Sequence, residues 1–313
     1  MPLPTFIIGG ARRGGTTSLY HAIRSHPSIY LYPHSEFNYF VEEEVNGRKY
    51  RDDPVNSDRW EKTHSKEDYS RKFADGSQAH ASGHKGADLL FWQPAHSRIA
   101  RFVPDAQIIF SLRHPINRAW SHYWVERAKG RESLSFEEAI AKEEERMQTS
   151  DWQHFHLSYR TRGFYDISLT HFLKFFPREN ILIITLEETI AEPRQVLQRV
   201  YRFLDVDPEI GLESAGGRKK QNWATVPRQW TQRAGLRQLA ASYEFASDQI
   251  AKFFTKSKES RRELRNKLNK PIRKSIQQVS KPAEIFGDLE ALYAPHISRL
   301  EDLAGRSFEE WRR

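Results

Sequence analysis

Short apolar runs alternate with amphipathic segments along most of the chain. Apolar runs typical of buried strands cover residues 5–9, 107–112 and 181–186. Apolar residues with helical spacing cover residues 16–26 and 164–176 and follow Pro115 and Pro193. Because strands that alternate with helices form βαβ units, the pattern predicts an α/β fold with a mainly parallel sheet.

Local signals mark where several helices begin. Proline suits the first helical position, and Pro115 and Pro193 each precede an apolar stripe. The stripe after Pro115 consists of Ile116, Ala119, Trp120, Tyr123 and Trp124. Ser135 and Glu138 have the spacing of a capping box, which predicts that another helix begins there.

Two parts of the chain lack a strand pattern. Residues 42–80 are polar and charged, so we predict a loop with short helices. Residues from about 230 to 313 are basic, with helical spacing. We therefore predict a single domain over residues 1–313, with an α/β core over about 1–230 and a helical C-terminal extension.

The composition excludes several classes of protein. Hydrophobic residues make up 38% of the 313 positions, which is enough for a sizeable core. No apolar run approaches the roughly 18 residues of a membrane span. The absence of cysteine excludes disulfides and thiolate nucleophiles. The first strand follows the N-terminus without room for a signal peptide, so we expect a cytoplasmic protein.

The positive charge is concentrated late in the chain. Residues 252–281 contain eleven lysines or arginines against two acids, whereas the whole chain has a net charge of +8. Such a run is usually a solvated face, but it also suits an anionic partner. No recognised nucleic-acid module accompanies it, so we expect no nucleic-acid partner.

The stretch FIIGGARRGGTTSLY joins the first strand to the first helix through a glycine-rich loop. Backbone N–H groups of such a loop, together with the positive end of the helix dipole, form an anion site. Gly10 and Gly15 have the four-residue gap of an ATP-binding loop. Thr16 and Thr17 follow directly, however, so the lysine that would contact the outer phosphates of ATP is missing.

The second strand ends differently from that of an ATPase. An ATPase has an aspartate there that holds magnesium, whereas this strand ends at Arg113. An arginine repels a metal ion and attracts an anion directly. The two strand ends together predict a phosphorylated nucleotide bound without a metal, by arginines, hydroxyls and backbone donors.

At these positions the chain resembles the sulfotransferases that use 3′-phosphoadenosine 5′-phosphosulfate (PAPS). Residues 13–17, Arg-Gly-Gly-Thr-Thr, resemble the phosphosulfate loop, with arginine in place of the usual lysine. Arg113 and Ser121 resemble the 3′-phosphate motif, an arginine followed eight residues later by a serine. The resemblance implies a P-loop-like three-layer domain with PAPS as sulfuryl donor. It implies donor contacts from Arg12, Arg13, Gly14, Gly15, Thr16, Thr17, Ser18, Arg113, Ser121, Gly217 and Arg218.

The resemblance also implies residues on the acceptor side. In the glycan-directed branch a glutamate acts as general base, and PHSEFNYF has Glu36 at that place. His34 and His26 are alternative bases. Lys85 in GHKGADLLF matches the family's next lysine, which would stabilise the leaving phosphate together with Arg13. Asp88 is then either a partner of Lys85 or a contact for the acceptor.

Three hypotheses follow. The first is a sulfotransferase that acts on a hydroxyl, less readily an amine, of a carbohydrate or natural-product acceptor. The acceptor would be anionic if residues 252–281 border the site. The second is a nucleotide- or polyanion-binding protein with the same fold and no catalysis. The third is a small-molecule kinase, disfavoured by the missing lysine and aspartate.

Overall fold

A computed structural model describes residues 2–34, 36–41, 64–216 and 283–312. Residues 2–216 and 284–312, where described, belong to one compact unit. Gly217, Arg218 and the basic segment 252–281 lie outside the described residues. The single-domain organisation and the structure of most of the C-terminal third therefore stay predictions.

A parallel sheet forms the centre of the described fold. Its five strands have the order β2-β3-β1-β4-β5. All four strand pairs are parallel. The strands are β1 Phe6–Gly10, β2 Ile29–Leu31, β3 Ala81–Lys85, β4 Gln107–Leu112 and β5 Ile181–Thr185. The predicted α/β class and the parallel sheet are confirmed.

Helices flank the sheet and connect its strands. The first six are α1 Thr16–Ile23, α2 Lys66–Arg71, α3 Pro94–Phe102, α4 Pro115–Ala128, α5 Phe136–Ala141 and α6 Glu143–Thr149. Six further helices of the described residues are α7 Asp151–Leu157, α8 Tyr165–Phe172, α9 Leu186–Ala191, α10 Pro193–Phe203, α11 Pro208–Gly216 and α12 Ala283–Ala304. Helix α8 is shorter than the predicted range 164–176 because the chain forms turns after Phe172.

The local helix signals are confirmed. Pro115 and Pro193 lie in the first turns of α4 and α10. The apolar stripe of α4 is buried throughout. Ser135 and Glu138 form a capping box, in which each side chain accepts a hydrogen bond from the other residue's backbone N–H. The sequence thus sets the start of each of these helices.

Two apolar layers cover the two faces of the sheet. Neighbouring residues of a strand face opposite sides, so Ile7 packs in one layer and Ile8 in the other. The first layer includes Leu300 of α12 and Trp311, and the second includes Leu19 of α1. The described part of the C-terminal region therefore completes a three-layer core rather than extending away from it.

Strand β3 was not recognisable from hydrophobic periodicity. Its residues, ASGHK, are polar or small, yet all five are buried. His84 lies among aromatic rings, and the Tyr69 hydroxyl shares a 2.8 Å hydrogen bond with His84 Nε2.

No helix of the described residues is long and apolar enough to cross a membrane.

The burial of His84 predicts how the stability of the protein depends on pH. Burial lowers the pKa of His84 from 6.5 to about 3, so the folded state requires a neutral ring. Its contribution to the free energy of unfolding is present above pH 6.5 and is lost as pH falls toward the folded-state pKa. The free energy of unfolding should fall between pH 6.5 and 4.5 less steeply in His84→Leu than in the wild type. We expect the two slopes to differ by up to ~1.4 kcal/mol per pH unit.

Urea unfolding at several pH values measures this slope. The exposed His80 provides a control, since His80→Gln should leave the wild-type slope unchanged. Identical slopes for wild type and His84→Leu would contradict the assignment.

Candidate active site

The candidate site lies where β3, β1 and β4 end. These three strands are neighbours in the sheet, so the segments after them meet at one edge. In open parallel sheets, ligands bind outside the carboxyl ends of the strands. The edge gathers Lys85 from β3, the glycine loop (residues 11–15) after β1, and Arg113 after β4.

The glycine loop is held tightly against β4. Ala11 N–H donates to the Ser111 carbonyl oxygen at 2.8 Å, and Ser111 Oγ donates to the Gly14 carbonyl oxygen at 2.7 Å. A Cβ atom on Gly14 would lie 2.0 Å from that same Ser111 carbonyl oxygen. Only glycine therefore fits at position 14.

Helix α1 begins at the end of this loop without a side-chain cap. Its N-cap residue Gly15 has a φ of 92°, in the left-handed region that favours glycine. The first-turn N–H groups of a helix have no partner inside the helix and readily bind an anion. Thr16 is buried in this turn and Thr17 is exposed. The start of α1 can therefore supply backbone donors to a phosphate or sulfate.

Arg13 and Ser121 are brought together although 108 positions separate them in the chain. Arg13 Nε donates to Ser121 Oγ at 3.0 Å. Burial, together with the nearby charges of Arg113 and Arg12, lowers the pKa of Arg13 to about 10. The predicted phosphosulfate loop and the predicted 3′-phosphate motif thus share one electropositive region.

Arg113 lies half-buried at the end of β4. Burial lowers the pKa of its guanidinium, which the charge of Glu187 partly offsets. Glu187 accepts hydrogen bonds from His114 N–H and Trp311 Nε1, each at 3.1 Å. Tyr165 Oη donates to the Arg113 carbonyl oxygen at 2.9 Å. The chain direction after β4 is therefore fixed from two sides.

Glu36 and Lys85 form an ion pair beside this region. Lys85 Nζ donates to Glu36 Oε2, and Ala87 N–H donates to Glu36 Oε1 at 2.7 Å. The Lys85 side chain is 1% exposed and that of Glu36 is 43% exposed. Lys85 is thus not a surface lysine, and the Glu36 carboxylate is held in place while solvent still reaches it.

The alternative bases are placed differently. His26 is buried, with Nε2 2.9 Å from the Asp207 carbonyl oxygen, and Nδ1 accepts from Ser28 N–H. Both ring nitrogens are therefore engaged, between the end of α1 and the residue before α11. His34 is exposed and its ring packs near Tyr32.

Asp88 does not pair with Lys85, contrary to one of our interpretations. It instead accepts hydrogen bonds from Arg12 and from Arg162. No role was predicted for Arg162, because its partner Asp88 is 74 positions away in the chain. Arg12, predicted to contact the donor, has its guanidinium engaged by this carboxylate.

A separate groove of about 630 Å³ lies between α8 and α12. Its lining includes Asp166, which is paired with Arg299 at 2.8 Å, and none of the predicted site residues. The described residues contain no group of three or more side chains that could hold a metal ion. Because the predicted site residues lie at the edge of the sheet and not in this groove, we assign the candidate site to that edge.

The chain belongs to the sulfotransferase family, since the model of that family matches residues 4–209. The bifunctional heparan sulfate N-deacetylase/N-sulfotransferase 4 of Mus musculus is 27% identical over 223 residues, which are 68% of this chain and 23% of that protein. Heparan sulfate glucosamine 3-O-sulfotransferase 5 of Homo sapiens is 25% identical over 211 residues, 66% of this chain and 55% of that protein. The matched segments thus span between about a quarter and about half of these relatives.

A solved structure shares the fold. The sulfotransferase from Alicyclobacillus acidocaldarius superimposes with a TM-score of 0.67 at 24% identity, with 100% of both chains covered. This agreement confirms the fold class implied by the resemblance.

The close contact between Gly14 and Ser111 predicts that a side chain at position 14 destabilises the protein. In Gly14→Ala the new Cβ would force the glycine loop off β4, which should lower the free energy of unfolding by about 1–3 kcal/mol. Gly287→Ala is the control, because apart from the neighbouring backbone of α12 no atom of the described residues lies within 4 Å of the added Cβ. We expect the control to stabilise the helix by about 0.5–1 kcal/mol. Urea unfolding compares them, and equal effects would contradict the loop geometry.

Proposed function

We propose that this protein transfers a sulfuryl group from PAPS to a hydroxyl group of a carbohydrate acceptor. The observation that carries the proposal is the Glu36–Lys85 pair at the same sheet edge as the Arg13–Ser121 pair. A proton acceptor thereby stands beside a cluster of cations suited to phosphate. The family and the names of the heparan sulfate relatives support the reaction and a glycan acceptor.

On the donor side, Arg113 and Ser121 would bind the 3′-phosphate of PAPS. The N–H groups of Thr16 and Thr17, with the hydroxyls of Thr16, Thr17 and Ser18, would bind the 5′-phosphate at the start of α1. Gly217 and Arg218 are proposed to complete the donor site on the strength of the resemblance alone. An arginine fork suits a phosphate dianion because it donates parallel hydrogen bonds to two oxygens.

In the proposed reaction the acceptor oxygen forms a bond to sulfur as the bond from sulfur to the bridging phosphate oxygen breaks. Glu36 takes the proton of the acceptor hydroxyl, and adenosine 3′,5′-bisphosphate leaves. Arg13 and Lys85 stabilise the negative charge that develops on the bridging oxygen. Positioning and electrostatic stabilisation therefore supply most of the catalysis, as in phosphoryl transfer.

A transfer assay tests the proposal. The protein is incubated with ³⁵S-labelled PAPS and desulfated heparan-type oligosaccharides, and in parallel with γ-³²P-labelled ATP and magnesium. We expect label from PAPS on the sugar and none from ATP. Phosphate transfer would favour a kinase, and PAPS binding without transfer to any sugar or natural-product hydroxyl would favour a binding protein.

Glu36→Gln tests the proposed base. The amide keeps the shape of the carboxylate but cannot accept the proton, so kcat should fall by roughly 100-fold or more. The Kd of adenosine 3′,5′-bisphosphate should change little, because Glu36 acts on the acceptor. Steady-state kinetics and calorimetry measure both quantities.

The matched control is Glu67→Gln, which neutralises an exposed acid in α2 and should leave kcat unchanged. If Glu36→Gln has the same kcat as the wild type, the base is another residue. The exposed His34 would then be changed to Gln.

A further inference from the structure

Asp88 lies at the centre of a buried ion cluster next to the candidate site. Its carboxylate accepts from Arg12 Nε at 2.7 Å, Arg12 Nη2 at 2.6 Å and Arg162 Nη1 at 2.6 Å. The Asp88 and Arg162 side chains are 3% and 2% exposed. The bidentate contact fixes both the distance and the plane of the Arg12 guanidinium.

Aromatic rings confine the same guanidinium groups. The centre of the Phe155 ring lies 5.0 Å from the guanidinium carbon of Arg12 and 5.0 Å from that of Arg162. The centre of the Phe91 ring lies 4.0 Å from the guanidinium carbon of Arg162. Cations over aromatic faces are attracted by the ring electrons. Neither guanidinium can therefore rotate freely around the carboxylate.

The charges make Asp88 the partner on which the cluster depends. Burial opposes ionisation of Asp88, but Arg12 and Arg162 outweigh it and hold its pKa well below the ordinary value. A second acid, Glu126, has its Oε1 3.8 Å from Arg12 Nη1. Loss of the Asp88 charge would leave two buried guanidinium groups without their main counter-ion, which is costly.

The far side of the cluster is anchored independently of the ligand site. The Glu143 carboxylate accepts three backbone N–H bonds, from Tyr159 at 2.8 Å, Arg160 at 2.6 Å and Thr161 at 2.7 Å. Arg162 follows directly and also donates to the Phe155 carbonyl oxygen. Asp88 thus connects a rigid turn to Arg12, a member of the glycine loop.

We propose that Asp88 is a positioning residue that holds the glycine loop through Arg12 and so directs Arg13 toward the phosphosulfate group. The proposal rests on the proposed function. Arg13, the next residue along the chain, has a φ of 72°, so its direction depends on how the loop is held. Asp88 also follows Lys85 by three residues, which ties the loop to the Glu36–Lys85 pair. Arg12 then acts as the tether of the loop rather than as a donor contact.

A double-mutant cycle tests whether Asp88 acts through Arg12. Asp88→Asn keeps the size of the side chain and removes its charge. We expect kcat to fall by about 10- to 100-fold, because small misplacements of a catalytic group have effects of this size. The Kd of adenosine 3′,5′-bisphosphate should stay within about threefold. Arg12→Gln should have a similar effect, and the double variant should be no worse than either single one.

Hydrogen exchange supplies a readout that does not require activity. The amides of Ala11 and Gly14 are hydrogen-bonded within the held loop. Their exchange should accelerate at least about tenfold in Asp88→Asn, while amides of β4 keep wild-type rates. Arg12→Lys keeps the charge but loses the bidentate fork, so it should show the same change in a milder form even where Asp88→Asn does not fold. Glu209→Gln breaks an exposed ion pair with Arg194 and serves as the control.

The outcomes separate this proposal from the proposed function. Faster loop exchange with non-additive losses of kcat supports the positioning role. Unchanged loop exchange in Arg12→Lys, or losses of kcat that multiply in the double variant, overturns it. If the wild-type protein transfers no sulfuryl group, the proposed function is contradicted. The exchange rates still decide whether Asp88 holds the loop.

Discussion

The contact between Gly14 and the carbonyl oxygen of Ser111 is the constraint on which the site depends. No side chain fits between the two, and hydrogen bonds in both directions close the glycine loop against β4. This closure aligns the start of α1 with the end of β4. It also brings Arg13 to Ser121 on α4. Parallel strands supply the common edge, and the close approach of the loop places the candidate site at that edge.

The cations at this edge fall into two groups with different surroundings. Arg12 and Arg162 both form ion pairs with the buried Asp88, so their charges are engaged within the protein. Arg13 has no acid within ion-pair distance among the described residues, and burial together with neighbouring arginines lowers its pKa to about 10. A bound dianion would supply the missing negative charge. The fold thus separates cations that hold the loop from a cation left for a ligand.

Hydrophobic periodicity and cap signals predicted β1, β4, β5 and the helices that begin at Pro115 and Pro193, because these elements bury regular apolar stripes. They missed β3, whose polar residues are buried by aromatic neighbours from distant parts of the chain. Pro115 and the apolar stripe after it correctly placed Ser121 on a helix that follows β4.

The pairing of Asp88 with Arg12 and Arg162 was not predictable, since it joins three segments far apart in sequence. Local motifs therefore selected the residues of the candidate site, while the partners of those residues required tertiary structure. The roles of Glu36, Lys85 and the donor-binding residues stay proposals.

We propose that arginines at the sheet edge bind the phosphates of a nucleotide without a metal ion. Calorimetric titration of adenosine 3′,5′-bisphosphate in the presence of EDTA measures this binding. We expect an affinity that EDTA does not change and that Arg113→Ala weakens by about 2 kcal/mol or more. The exposed Arg194, changed to Ala, should have no effect. Binding that EDTA abolishes, or wild-type affinity in a folded Arg113→Ala protein, would contradict the account.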